Sequence, residues 1–234
     1  MRGGQGDPRL VCVSFDCENH DDIRRLPSLL DLLKELEITT SFALRGDMVS
    51  QNPNLTRRIL LEGHEIVNHT FSHPHKFSQV EEQRMRSEVE SFQQLLRSKF
   101  DYSPKGFRAP HLMRRYDKKL FRILQQNGLY DSSYVGVGVS VIGNIVELPL
   151  TACPDHSRVC FDYWHHFQLP LIASTNEQFL KLWQTILKSE HFVNIFLDPR
   201  LTSDAFLFEV IRQIPRGRSI CRLSDAAEAS GLHI

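Results

Sequence analysis

The sequence predicts a single-domain α/β fold with a mostly parallel sheet, either closed as a barrel or open and doubly wound. Three observations carry this. Short apolar, β-branched runs alternate with amphipathic helical stretches along the chain. The 234 residues suit one α/β domain better than two. No internal repeat or low-complexity linker divides them. A dinucleotide-binding variant has little support, because no G-x-G-x-x-G follows the first strand.

Leu10–Phe15 opens the pattern as a β-forming run, after a short N-terminal tail (residues 1–9). Ile23–Leu36 follows as a helix, with Leu29, Leu32, Leu33 and Leu36 on one stripe. Ile38–Leu44 reads as a strand. Asn52-Pro53 reads as an N-cap with Pro at N1, and Gly63 closes that helix. Glu65–Asn68 is a brief strand. Ser78-x-x-Glu81 is a capping box that predicts a long polar helix to Lys99. Phe107–Ala109 reads as strand, Asp117–Asn127 as helix with Gly128 as its stop, and Tyr130–Tyr134 and Ile145–Leu148 as strands. Thr151–Pro170 reads as a long loop. Thr175-x-x-Gln178 caps a helix ending near Lys188. Phe192–Leu197 is strand, Ser203–Gln213 helix, Ser219–Leu223 strand and Ser224–Ala229 a last helix.

Composition narrows the function. Lys and Arg total 28, as do Asp and Glu, so the formal net charge is zero. A nucleic-acid protein usually shows a basic excess, so none is expected as partner. Mean hydropathy is −0.29, and no apolar run approaches the ~18 residues of a membrane span. The start, MRGGQGDPRL, has no apolar leader core, which predicts a cytoplasmic chain; a trimmed start would leave secretion open. The cysteines Cys12, Cys17, Cys153, Cys160 and Cys221 are odd in number and form no C-x-x-C, which predicts free thiols. Oligomeric state is not encoded in any of these features.

In α/β folds chemistry belongs at the C-terminal ends of strands, and those ends carry unusual residues here. Asp16-Cys17-Glu18 follows the first strand. His69-Thr70-Phe71-Ser72-His73 follows Glu65–Asn68. Arg108-Ala109-Pro110-His111 follows Phe107, and Asp198-Pro199 follows Phe192–Leu197. Four of the 11 histidines lie between His64 and His75, where even scattering would put about 0.6. His69 and His73 are spaced i, i+4, which on a helical turn or helix-like loop puts both imidazoles on one side. Two His and one carboxylate form a common catalytic zinc set with a position left for water. Asp16 and Glu18 are the nearest acids of the right kind, and alternation along an extended segment points both the same way with Cys17 opposed. His64 is read as serving its turn and His75 as exposed. Trp164, His165 and His166 fall in the long loop, either to stack on a sugar ring or to anchor the loop.

The string Gly63-His64-Glu65-Ile66-Val67-Asn68-His69-Thr70-Phe71-Ser72-His73 resembles the second motif of the polysaccharide deacetylases, the NodB-like carbohydrate esterases. Ser14-Phe15-Asp16 resembles their first motif and Phe107-Arg108-Ala109-Pro110 their third. Gly128-Leu129-Tyr130-Asp131-Ser132-Ser133 and Glu147-Leu148-Pro149 resemble later segments, so the likeness runs from about Leu10 to Leu223 within a domain spanning 10–234. The resemblance implies a distorted (β/α)7 TIM-like barrel and a metal-dependent hydrolase that removes acetyl groups from N-acetylated sugars, free or polymeric. It implies one divalent metal ion, usually zinc, with Asp16 as catalytic base, Arg108 as the arginine that orients it, and His69 and His73 as metal ligands.

Two departures qualify this. Many members place a second, metal-binding aspartate where this chain has Cys17; a branch with D-x-E matches Asp16-Cys17-Glu18, which assigns Glu18 as third ligand, with the Cys17 thiolate as the alternative. The family's late histidine, a general acid, is replaced by Asp198. An ion within ~6 Å would be the largest local charge, so Asp198 is expected to be ionised, a poor donor, and Asp198→His to raise turnover. His111, and Asp16 after its first proton transfer, are the other candidate donors. Two further functions fit the residues: hydrolysis of another linear or cyclic amide (allantoinase-like), and binding without turnover.

Overall fold

The computed structural model describes residues 9–162 and 175–230. Seven parallel strands form the frame: β1 (Leu10–Cys17), β2 (Ser41–Leu44), β3 (Glu65–Asn68), β4 (Gly106–Phe107), β5 (Tyr130–Asp131), β8 (Ile145–Glu147) and β11 (Phe192–Leu197). Their spatial order is β11-β1-β2-β3-β4-β5-β8, every neighbouring pair parallel. Among the described residues no ladder joins the two ends of this order. Asn194 bridges the seam instead: its Nδ2 donates to Leu148 O (2.9 Å) and Ser132 Oγ (3.0 Å), and its N–H donates to Thr151 Oγ1 (2.9 Å). The result is the distorted barrel that the family resemblance implied.

Alternation on β1 builds the two layers. Val11, Val13, Phe15 and Cys17 pack outward in one apolar cluster with Leu26, Leu29, Leu30 and Leu33 of α1 (His20–Glu35). Cys12, on the other face, joins Ala43, Val67, Tyr130, Val146 and Leu148 inside the barrel. Leu223, Ala226 and Ala227 of the last helix (Leu223–Ala229) close that interior cluster. Ser14 and Asp16 share the inward face, so the barrel interior turns polar toward the strand C-termini.

Several local signals hold. Pro53 begins its helix at the first turn. Gly128 ends Lys118–Asn127 in the left-handed region (φ 62°), where a Cβ would be strained. Thr175 and Gln178 form the expected capping box. Others do not. Glu82–Phe100 starts after Glu81, with no side-chain cap, because Lys76 turns left-handed (φ 55°) and 77–79 close into one 3-10 turn before an extended Val80. α1 starts at His20 rather than Ile23, because Asn19 and Asp22 make the capping box there. The short helix Gly46–Gln51 falls where no helix was expected. The predicted loop 151–170 contains an antiparallel pair, Leu150–Cys153 with His156–Cys160; the exposed polar run His156-Ser157-Arg158 concealed it. Trp164, His165 and His166 lie outside the described residues. None of the five cysteines is in a disulfide, as expected.

Candidate active site

Glu18 leaves the end of β1 in a loop fixed at both sides. Its N–H donates to Asp22 Oδ2 (3.1 Å) and its C=O accepts from Arg45 Nη1 (2.8 Å). Asp22 also accepts from the N–H groups of Asn19 (3.2 Å) and Arg200 (3.2 Å), which ties this loop to the one after β11. Sequence reasoning missed Asp22 and Arg45; the only local trace was an Asn19-x-x-Asp22 capping pattern.

His69 and His73 sit on a loop rather than a helical turn. Thr70 (φ 63°) and His73 (φ 55°) both lie in the left-handed region, a strained state for non-glycine residues that surrounding contacts must hold. Those contacts are present. Gly46 N–H donates to Thr70 O and Asp47 N–H to Phe71 O, both at 3.0 Å. Thr70 N–H donates to Asn68 Oδ1 (2.9 Å), and Thr70 Oγ1 accepts from His73 N–H (3.0 Å). Ser72 donates twice to the Glu88 carboxylate. A Cβ on Gly46 would stand 2.6 Å from the Phe71 ring and 3.0 Å from its Cα, so only glycine lets the helix start approach this loop.

The three side chains converge. Glu18 Oε1 lies 3.4 Å from His69 Nε2 and 3.2 Å from His73 Nε2, and one ligand atom from each residue lies within 4.8 Å of the others. Tetrahedral coordination at ~2.0–2.1 Å would set ligand atoms ~3.3–3.4 Å apart, so the set fits a zinc-sized divalent ion. His73 Nε2 is buried and makes no hydrogen bond, although Glu18 Oε1 is 3.2 Å away. His69 Nδ1 lies 2.8 Å from Arg108 O; donating there fixes the tautomer that turns the Nε2 lone pair to the cluster. Burial opposes ionisation of Glu18, but His69 and His73 outweigh it and hold the carboxyl well below the usual carboxylate range. Burial likewise pulls His69 down, but Glu18 and Asp16 outweigh it and leave the imidazole raised. Cys17 is on the opposite face of β1, in the outer core, with its thiol pushed up by burial. Its position sets it apart from the Glu18–His69–His73 cluster.

Beside this cluster is a fully buried ion pair. Arg108 Nη1 donates to Asp16 Oδ1 (2.6 Å) and Ser14 Oγ (2.9 Å), and its Nε and Nη2 donate to Ser132 O (3.2 Å) and Oγ (3.1 Å). A buried charge pair costs stability unless its remaining groups are satisfied; here Ser14 and Ser132 satisfy them. Ser132 is in turn held by Asn194 across the barrel seam. Ser132 falls in the 128–133 segment that resembles the family, whereas Asn194 carries no signal in a single sequence.

Asp198 follows β11 and is 8% exposed. Phe15 pairs with Leu197, so Asp16 and Asp198 are the next residues on adjacent strands. Burial first, then the charges of Asp16, Asp22 and Glu18, pushes the Asp198 carboxyl up to about 8. This raised value belongs to the chain without its ion, whereas the ionised Asp198 expected from sequence belongs to the ion-bound site; neither the burial nor the nearness of Asp22 and Glu18 could be seen in sequence. An acid raised above its unfolded value near ~3.9 contributes fully below that pH and loses its contribution as pH rises to about 8. In chelator-treated protein, Asp198→Asn is therefore expected to raise Tm over the parent by an amount that grows from about pH 5 to about pH 8; a pH-independent difference would refute the raised pKa.

The remaining histidines divide as read. His64 Nδ1 accepts from Thr40 N–H (3.2 Å), and burial lowers its pKa to about 4; it braces the far end of β3. His111 stacks edge-on between His73 (centroids 4.9 Å) and His75 (5.3 Å). Asp131 is buried and bonded to Ser133, bracing its strand.

The Asp22 clamp gives a test. Asp22→Ala should leave Glu18 present but its loop unpinned, lowering divalent-ion affinity by roughly 10–100-fold, the usual loss for a supporting residue. A zinc-indicator competition titration measures this; unchanged affinity would show that Glu18 is positioned without the clamp.

Comparison with known proteins adds lineage. Residues 3–131 match the family described as polysaccharide deacetylase. A peptidoglycan-N-acetylglucosamine deacetylase from Bacillus cereus is 35% identical over 101 residues, which is 43% of this chain; the match spans only 36% of that relative's length. Among solved structures, a Mycobacterium smegmatis protein assigned to the polysaccharide deacetylases superposes with a TM-score of 0.79 at 20% identity, over 99% of this chain and 94% of that one. A Bacillus anthracis protein described as a pseudoenzyme of carbohydrate esterase family 4 superposes with a TM-score of 0.64 at 14% identity, over 95% and 66% of the two chains. These likenesses show the fold, which is shared with a protein described as a pseudoenzyme, so the side chains must decide function.

Proposed function

The chain belongs to the polysaccharide deacetylase family, and from that premise we propose that it is a metal-dependent hydrolase removing acetyl groups from N-acetylated sugars or their polymers. One observation carries the reading: Glu18, His69 and His73 converge at the C-terminal ends of parallel strands, beside the buried Asp16–Arg108 pair. The donor set suits one divalent ion, of which zinc is the best match to two imidazoles and a carboxylate. The name of the Bacillus cereus relative favours an N-acetyl sugar over a ureide.

When bound, the ion lowers the pKa of a coordinated water and polarises the acetyl carbonyl. Asp16 accepts the proton of the attacking water. Arg108 aims Asp16 through a charge-assisted hydrogen bond. Asp198, buried at the end of the strand beside Asp16, is placed to deliver a proton to the departing amine. Burial of Asp16, Arg108 and Asp198 strengthens each of these electrostatic effects by excluding water.

The test is acetate release from N-acetylglucosamine oligomers by purified, zinc-loaded protein. Release that stops on chelation and returns with zinc is the expected result. No release from any N-acetylated sugar, with the ion stoichiometrically bound, would favour binding without turnover; release from a ureide instead would move the substrate class.

A further inference from the structure

A second recess adjoins the site. It has a volume of about 520 Å³ and lies between the segments 75–79 and 110–117. His75 and His111 line it, and His111 packs against His73, so it begins one ring away from the Glu18–His69–His73 cluster. Lys76, Arg114 and Arg115 line it as well, and all three are exposed. Among the described residues none of the three forms an ion pair. The one acid in the lining, Asp117, uses Oδ1 to cap Lys118–Asn127, accepting from the N–H groups of Lys119 and Leu120. In a chain of zero formal charge, three unpaired cations around one recess are a local property.

The recess also has an apolar side. Phe77 and Met113 are buried in its wall. Tyr116 stacks on Phe121 (centroids 4.4 Å) and stays 52% exposed, which offers the kind of amphipathic surface that the C–H face of a sugar covers. The wall is held in shape: Met113 N–H donates to Ser133 O (2.8 Å), and His111 and Leu112 are both left-handed (φ 56° and 58°). Such strain persists only where neighbouring contacts impose it and clusters at ligand sites.

We propose that this recess is a subsite for a negatively charged sugar unit, one bearing a carboxylate, next to the unit whose acetamide reaches Glu18, His69 and His73. The placement of the acetamide rests on the deacetylase reading; the cationic recess does not. Arg114 and Arg115 present forked guanidinium groups suited to a carboxylate, Lys76 adds a point charge, and Tyr116 takes the ring face. A neutral N-acetyl glycan would use the same cleft without the charge contribution.

The probes are the disaccharide of N-acetylglucosamine and N-acetylmuramic acid and its methyl ester, titrated calorimetrically into the full chain. The free acid should bind about tenfold more tightly than the ester at low salt, the effect of two exposed ion pairs. The difference should shrink toward unity as salt rises to about 1 M, where screening acts within ~3 Å. In Arg114→Glu/Arg115→Glu, with circular dichroism and Tm as folding controls, the acid-to-ester ratio should fall to one or below. Equal binding of acid and ester by the parent, absence of binding by both, or a preference that survives the double substitution would each overturn the proposal. Equal competition by a short single-stranded DNA would also overturn it, as that would mark a general polyanion surface. Acetate release from neutral N-acetylglucosamine oligomers reports separately on the deacetylase reading, so either idea can fail alone.

Discussion

Asp16→Asn should bind its ion and lose roughly 10²–10⁴ of turnover, the usual share of general acid–base catalysis. The substitution keeps shape and removes the ability to accept a proton. It leaves the neighbouring ligands Glu18, His69 and His73 intact, so metal content is expected to stay stoichiometric. The cost elsewhere is predictable. Arg108 is fully buried and Asp16 is its carboxylate partner, so the variant keeps a buried guanidinium facing an amide. Removing one member of a buried pair destabilises by about 3–5 kcal/mol when the other charge is left uncompensated; Ser14 and Ser132 still accept from Arg108, which places the loss at the low end. Turnover must therefore be measured below the variant's own melting range, with metal content measured in parallel. A folded, metal-loaded Asp16→Asn that keeps its rate would remove Asp16 from the mechanism.

His73→Ala should abolish stoichiometric ion binding. Three ligands already form a minimal set for an open zinc site, and the two that remain, Glu18 after β1 and His69 before the strained Thr70, retain too little. This has a readout that needs no turnover. A ligand present at about 100 times its Kd stabilises the folded state by about 2.7 kcal/mol, so zinc should raise the parent's Tm by several degrees. In His73→Ala that increment should disappear; the ion-free Tm is measured alongside as a folding control, since the substitution also removes the Glu18–His73 contact (3.2 Å). Undiminished zinc content by elemental analysis would show that the ion is held by other residues.

How much of this was legible in the sequence follows from the range of each effect. Alternation on a strand is local, so Leu10–Cys17 by itself separates Asp16 from Cys17 and directs them to opposite faces. The His69–His73 spacing, the Gly128 stop and the Thr175–Gln178 capping box are also local, since each joins residues within five positions. The resemblance of 63–73 to a known motif supplied the ligand histidines on the same short scale. A barrel rather than an open sheet was not decided by any such segment. It depends on β1 lying beside β11, and on Asn194 reaching across to Leu148 and Ser132, contacts between residues 46 to 62 positions apart. The clamp on Glu18 joins Asp22 to Arg200 across 178 positions. The protonation of Asp198 was also beyond the sequence, because a carboxyl's charge state depends on how much water the fold leaves it and on which other acids the fold brings near. The sequence by itself determined which side chains could do the chemistry and the order of the elements that carry them. Only the tertiary structure decided which backbone groups hold them, which acid keeps its proton, and where unpaired cations gather beside the site, because burial and long-range electrostatics exist only once distant segments have packed together.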